Sequence, residues 1–209
     1  CPSFHVPIDK VAALQAMAKE TVDTVGSKGG WVQGQAHRNI LDVCAGVCAA
    51  GEAHLEDHAD TYVIAVDIMA EEEFWEGVAP GLATLRGVRV FYVKMDVINL
   101  TLEVVQSLLH KHLGIKLCEL TLCHWSPMCS SMSRASHGRG DHRRPDGSPK
   151  SDVAIAHDLR FHHVLAIVVA MVAEHGTLLC QIENPLGPVF PYFEDMMALV
   201  GQPGWCFVL

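Results

Sequence analysis

Two reactive side chains occupy equivalent places in two separate parts of this 209-residue sequence. Cys129 follows an apolar run and Pro127 in the segment Ser-Pro-Met-Cys, and Glu183 follows another apolar run in Glu-Asn-Pro. A thiolate is a strong nucleophile, and a carboxyl group can donate or accept a proton. If both runs are strands of an open α/β sheet, both groups lie at the edge where such sheets bind ligands. The pairing predicts nucleophilic chemistry assisted by an acid.

Apolar runs alternate with helical patterns from Asn39 onward. The expected strands are Ile40–Cys44, Tyr62–Val66, Val88–Lys94, Leu117–Trp125, Thr177–Ile182 and Trp205–Leu209. The first expected helix ends near Asp57, and the second contains Phe74. The later ones cover Leu102–Leu113, roughly Asp152–Ala173 and roughly Tyr192–Val200. This alternation is typical of an α/β fold with a doubly wound, mostly parallel sheet and helices on both faces.

The domain prediction is a helical leader over residues 1–38, with a helix at Pro7–Val25, followed by one domain over residues 39–209. The first residue is Cys1 rather than Met, and the last expected strand begins at Trp205. We therefore expect the chain to be a segment of a larger parent polypeptide.

Composition favours a globular intracellular protein. The expected compartment is the nucleus in a eukaryote and the cytoplasm in a bacterium or phage. Half of the residues are hydrophobic and 19% are charged, which is enough to bury one substantial core. The most apolar run, Val164–Ala173, is short for a membrane span and is expected to be a buried helix, so no membrane is expected. The eight cysteines are interpreted as reduced thiols. No metal is expected. Alternate residues of a strand point to opposite faces, so the side chains of Cys118, Cys123 and His124 would not meet at one metal ion.

The net charge of −9 argues against a surface devoted to polyanions, yet residues 134–150 form a basic stretch. It contains Arg134, Arg139, Arg143 and Arg144 among glycines, prolines and serines. One interpretation is a solvated surface loop, and the other is a phosphate-contacting lid beside Cys129.

A small-residue turn and two acidic residues favour a nucleotide-like ligand. The turn Cys44–Cys48 would let a ligand approach the backbone at the start of the next helix, although it lacks a dinucleotide fingerprint. Asp67 is placed for ribose hydroxyls and Asp96 for an adenine amino group. Each acid could instead only cap the following helix.

Taken together, the motifs over roughly residues 39–209 resemble the class I S-adenosylmethionine-dependent methyltransferases, and among them compact phage-type cytosine-C5 DNA methyltransferases. Cys44-Ala45-Gly46-Val47-Cys48 stands in place of Phe-Ala-Gly-x-Gly, with Cys44 at the phenylalanine position and Cys48 at the second glycine position. Pro127-Met128-Cys129 is similar to the Pro-Cys motif, and Glu183-Asn184-Pro185-Leu186-Gly187 matches Glu-Asn-Pro-x-Gly.

The resemblance implies a catalytic role for three residues. Cys129 would attack C6 of cytosine, Glu183 would protonate N3, and Asn184 would orient the base or the backbone beside it. Burial in the cleft would have to keep Glu183 protonated. The alternatives are a methyltransferase acting on RNA or free nucleotides, and a non-catalytic nucleotide-binding domain of a larger polypeptide.

The resemblance also implies that S-adenosyl-L-methionine is the methyl donor, that S-adenosyl-L-homocysteine is the product and that DNA is the partner, with RNA as the alternative partner. The basic residues named above would contact the nucleic acid. The residues expected to bind the cofactor are Asp42, Cys44, Ala45, Gly46, Val47, Cys48, Asp67, Ile68, Asp96, Val97, Ser126 and Pro127.

Overall fold

The computed structural model describes residues 38–46, 48–126, 142–144, 148–175 and 178–183. The chain divides into two compact units. One comprises residues 36–129 and 156–185 and contains the sheet, and the other comprises residues 1–35, 130–155 and 186–209. The expected helices at Pro7–Val25 and Tyr192–Val200 and the expected strand Trp205–Leu209 lie outside the described residues.

In the described part of the chain, five parallel strands form the sheet, in the order β3-β2-β1-β4-β5. They are β1 (Arg38–Val43), β2 (Thr61–Asp67), β3 (Val90–Lys94), β4 (Leu122–Trp125) and β5 (Leu179–Ile182). Strands β2 and β3 follow one another on one side of β1, and β4 and β5 follow one another on its other side. Crossovers between parallel strands are right-handed as a rule, and a sheet that extends in both directions from its first strand then carries helices on both faces. The predicted doubly wound α/β fold of Rossmann-like type is therefore confirmed.

Among the described residues, three α-helices connect the strands: α1 (Ala49–Asp57), α2 (Leu102–Leu113) and α3 (Asp152–His175). The limits of α2 are those predicted from the sequence, because both ends carry local signals. The Thr101 hydroxyl accepts a hydrogen bond from the Val104 N–H, and Gly114 ends the helix in the left-handed conformation.

The close approach of α1 to β2 depends on Gly51. A side chain there would meet the Cys48 sulfur at 2.7 Å and Val63 at 2.9 Å, so the helix can pack at this distance only without one. Cys48 and Val63 are both fully buried. The start of α1 is thereby held against the sheet beside the loop that follows β1.

The sequence-based limits of β4 and of the helix after β2 need correction. The strand predicted at Leu117–Trp125 begins only at Leu122, because Leu117–Glu119 forms a short 3-10 helix in which the Lys116 N–H donates to Glu119 Oε2 at 2.9 Å. The helix predicted around Phe74 is a π-helical segment, Glu73–Val78, followed by a 3-10 helix at Pro80–Leu85.

Helix α3 is longer than the apolar run that predicted it. It has 24 residues and is long and apolar enough, by length and composition alone, to cross a membrane. Within the protein, 44% of its most apolar window is buried, including Phe161, Val164, Val168 and Met171.

Candidate functional site

The carboxyl ends of four neighbouring strands are joined by backbone hydrogen bonds. The Ser126 N–H donates to the Val43 carbonyl at 3.0 Å, and the Glu183 N–H donates to the Trp125 carbonyl at 2.8 Å. On the other side of β1, the Ala45 N–H donates to the Val66 carbonyl at 3.2 Å. The residues that follow β1, β2, β4 and β5 therefore begin at one edge, where open α/β sheets bind ligands.

The loop after β1 holds an unusual backbone conformation. Cys44 and Cys48 both have φ of 56°, and Gly46 has φ of 49°. A residue with a Cβ atom is strained in this left-handed region, whereas glycine is not. Cys48, which stands where the motif has its second glycine, thus adopts a conformation that a glycine would favour, and Cys44, at the phenylalanine position, adopts it too. Strain of this kind is concentrated at functional sites.

Asp67 connects this loop to the end of β2. Its Oδ2 accepts a hydrogen bond from the Gly46 N–H at 3.0 Å, and its Oδ1 accepts one from the Met69 N–H at 3.1 Å. A carboxylate has about four lone-pair positions, so each oxygen can still accept a further hydrogen bond. Asp67 can therefore order the loop and also accept bonds from the hydroxyl groups of a ligand.

Asp96 serves as a cap and as one half of an ion pair. Its side chain accepts a hydrogen bond from the Ile98 N–H at 3.2 Å and two from Arg160, of which Nε to Oδ1 measures 3.1 Å. The hydrogen bonds from the Arg160 guanidinium hold the pKa of Asp96 below its ordinary value, although burial opposes the shift. An adenine amino group would have to share Asp96 with Arg160.

A small cleft lies between the ends of β1, β2 and β3. Its volume is about 70 Å³, whereas pockets for small molecules usually enclose roughly 300–1,000 Å³. A nucleoside therefore requires the cleft to widen, and rotation of the partly exposed Arg160 is one way to widen it. Its described lining consists of Val43, Cys44, Val66, Asp67, Ile68, Met95, Asp96, Val97 and Arg160.

Five of the residues expected to bind the cofactor line this cleft: Cys44, Asp67, Ile68, Asp96 and Val97. Gly46 is joined to it through its bond to Asp67. The expectation is not supported for Ala45 and Cys48, which are buried in the core, or for Ser126, which is not part of the described lining. Val47 and Pro127 lie outside the described residues.

Burial keeps the thiol of Cys44 neutral. Burial raises its pKa to about 12, and the negative charges of Asp67, Asp96 and Asp42 add to that effect. Because the thiolate is the reactive form of cysteine, burial disfavours Cys44 as a nucleophile at neutral pH. The nucleophile expected from the sequence, Cys129, and the expected Asn184 lie beyond the part of the chain that the structure describes.

His124 is a functional candidate that the sequence-based site lacked. Asp42 on β1 is paired in register with His124 on β4, and their side chains meet in the interior, with Nδ1 2.9 Å from Oδ1. The other ring nitrogen of His124, Nε2, lies 3.7 Å from Glu183 Oε2. The signal was present in the sequence, because a charged residue inside an apolar strand requires a buried partner.

The surroundings of His124 favour its charged form. Burial lowers its pKa, but the hydrogen bond to Asp42 and the negative charges of Asp42 and Glu183 outweigh burial and raise the pKa above its ordinary value. Asp42 is not part of the described lining of the cleft. Its Oδ2 accepts a hydrogen bond from the Gly51 N–H at 3.3 Å. Asp42 thus links β1, β4 and α1, and the cofactor role expected for it stays a prediction.

The side chain of Glu183 is 68% exposed, in contrast with the expected burial in a cleft. Burial favours the protonated form of a carboxyl group, and at this position it is small. An acid here would need its proton from a neighbouring group.

The basic stretch is described only in part. Arg143 is 2% exposed, so a phosphate contact would require its side chain to leave a buried position. Arg144 is exposed, and its Nη1 donates to the Ser148 hydroxyl at 3.2 Å and to the Pro149 carbonyl at 3.0 Å. Arg134 and Arg139 lie outside the described residues.

Comparison with known proteins adds no relative: no protein-family model and no curated protein matches this chain.

Proposed function

We propose that this protein is an S-adenosylmethionine-dependent methyltransferase that acts on C5 of cytosine in DNA. One observation carries the proposal: the strained loop with Asp67, the segment leading to Pro127 and Cys129, and Glu183 all begin at one edge of the sheet. In this strand order β2 and β3 lie on one side of β1, and β4 and β5 lie on its other side. Folds of this kind usually bind ligands at the carboxyl ends of the strands where the order reverses, here β1 and β4.

The residues that line the cleft have the chemical character that the cofactor requires. Asp67 offers carboxylate oxygens for two ribose hydroxyls, and Ile68 and Val97 offer apolar surface for a base. When bound, the cofactor supplies a methyl group on a positively charged sulfur. The carboxylates of Asp67 and Asp96 give the cleft a matching negative character.

Cys129 and Glu183 divide the chemistry at the cytosine ring. The Cys129 thiolate forms a bond to C6, and electron density moves toward N3, where Glu183 delivers a proton. The target base must be flipped out or single-stranded, because C6 is not accessible within a stacked duplex. Asn184 holds the base or the backbone in place.

Covalent trapping tests the reaction. DNA that carries 5-fluorocytosine should form a covalent complex with the protein in the presence of the methyl donor, because fluorine cannot leave C5 as a proton does. Cys129→Ser should abolish the complex, whereas Cys118→Ser, at an exposed thiol in the 3-10 helix before β4, should preserve it. A complex of equal yield with Ser at position 129 would overturn the assignment, and the same probe in RNA would reveal a preference for RNA.

Calorimetry tests the cofactor site. Asp67→Ala should weaken binding of S-adenosylhomocysteine more than tenfold, since a hydrogen bond to a charged group contributes about 1.5–3 kcal/mol. Asp60→Ala, which removes an exposed carboxylate at the other end of β2, should bind as the wild type does. Equal affinity in the Asp67 variant, or no binding by the wild type, would contradict the proposal.

A second candidate is a nucleotide-binding domain without catalytic activity. The guanidinium of Arg160 in the cleft favours it, because a fixed cation suits an anionic nucleotide better than a sulfonium. Adenosine monophosphate would then bind more tightly than S-adenosylhomocysteine in the same calorimetric experiment, and no trapped complex would form.

A further inference from the structure

Three ionisable side chains from neighbouring strands form a line at the edge of the sheet. Asp42 on β1 is 1% exposed, His124 on β4 is 7% exposed, and Glu183, directly after β5, is 68% exposed. The Nδ1 atom of His124 is 2.9 Å from Asp42 and its Nε2 atom is 3.7 Å from Glu183. The line therefore runs from the interior to the solvent.

The bond to Asp42 determines which ring nitrogen can exchange a proton. A carboxylate can only accept, so Nδ1 of His124 carries the proton in that bond. Asp42 is also held by the Gly51 N–H and by the Cys48 thiol, which fixes its orientation. Nε2 is consequently the position at which His124 gains or loses a proton, and it faces Glu183.

The distance of 3.7 Å is longer than a hydrogen bond. The Glu183 side chain is exposed and can rotate to shorten it, whereas the buried His124 is held by Asp42. The two groups can then share one proton, either as imidazolium and carboxylate or as imidazole and carboxylic acid.

We propose that Asp42 and His124 form a proton relay that supplies Glu183, so that His124 is a positioning and proton-supplying residue acting through Glu183. The proton on Nε2 of the imidazolium passes to Oε2 of Glu183, and Glu183 gives a proton from its carboxyl group to the ring nitrogen of a bound base. His124 ends as neutral imidazole and Glu183 as carboxylate, and the reverse transfers restore the starting state. The identity of the acceptor as cytosine N3 rests on the proposed function.

Other charged groups around His124 are few in the described part of the chain. Asp42 faces it from β1, Glu183 from the end of β5, and His54 on α1 interacts with it electrostatically. The two carboxylates favour the imidazolium, and a charged His54 opposes it. The pKa of His54 is lowered by burial first and then by Arg38, so His54 is mostly neutral at pH 7.

Nuclear magnetic resonance of the histidine ring nitrogens in the full chain tests the relay without any substrate. Glu183→Gln should lower the protonation midpoint of His124 by roughly 0.5–1 pH unit, because it removes a neighbouring negative charge. Glu72→Gln, at an exposed carboxylate on another element, should leave the midpoint unchanged. Glu183 is on the surface, so this variant is expected to fold. An unchanged midpoint in Glu183→Gln would overturn the relay.

The pH dependence of covalent trapping provides the functional readout. In the wild type, the trapping rate should fall as pH rises through the midpoint of His124, since the relay then lacks its proton. His124→Gln should trap at least tenfold more slowly and without that decline, while His110→Gln, at an exposed histidine on α2, should keep the wild-type profile. An unchanged profile in His124→Gln overturns the relay and leaves the proposed function intact. A wild type that forms no adduct overturns the proposed function, and the ring-nitrogen measurement still decides the relay.

Discussion

Two cysteines in the loop after β1 have left-handed backbone conformations, and substitutions there can measure the cost of that conformation in stability. Cys44 has φ of 56° and lies at the cleft. Replacing it by alanine keeps the Cβ atom and its strain, whereas glycine removes both. We expect Cys44→Gly to be more stable than Cys44→Ala by about 1 kcal/mol, measured by urea unfolding of both variants.

A matched pair on a strand provides the control for this prediction. Cys180 on β5 is not among the described residues with positive φ. There, glycine should be less stable than alanine by roughly 0.5–1 kcal/mol, because it has more freedom to lose on folding. The same sign at both positions would show that the loop after β1 is unstrained.

Among single residues, the sequence identified those whose role follows from their place on one strand. Asp67 and Asp96 were predicted to lie at strand ends beside a cleft, and both line it. His124 and Arg160 were missed because their roles depend on partners 82 and 64 residues away in the chain. No local pattern states that β4 lies beside β1, or which face of α3 approaches the end of β3.

Among secondary structure elements, accuracy followed the strength of local signals. Helix α2 was predicted to the residue because Thr101 and Gly114 mark its ends. The start of β4 was predicted five residues too early, because Leu117 and Leu120 are as apolar as a strand requires. Their burial arises from tertiary packing of a 3-10 turn, which the apolar pattern does not distinguish from a strand.

The register between elements was also beyond prediction from the sequence. A shift of one residue between β1 and β4 would turn Asp42 and His124 to opposite faces of the sheet. The alternation of strands and helices predicts that these strands are parallel, and it leaves their alignment open. The relay to Glu183 is therefore a property of strand pairing.

For the molecule as a whole, buried thiols are expected to control stability at alkaline pH. Burial is the main cause that raises the pKa of Cys44, Cys48 and Cys123. A folded-state pKa above the unfolded value means that stability is complete below the ordinary thiol pKa. It is then lost as pH rises, because only the unfolded chain ionises its thiols. For Cys44 this window runs from 9.0 to about 12.

The free energy of unfolding should therefore fall steeply above about pH 9, by about 1.4 kcal/mol per pH unit for each buried thiol. Urea unfolding between pH 8 and pH 11, with a phosphine reductant to prevent disulfides, measures this slope. Cys44→Ala should reduce the slope by about one thiol's share, since the variant has one fewer group that ionises only on unfolding. Cys118→Ala should leave the slope unchanged, because that side chain is exposed in the folded protein. A slope that Cys44→Ala and Cys118→Ala reduce equally would show that burial of Cys44 does not govern alkaline stability.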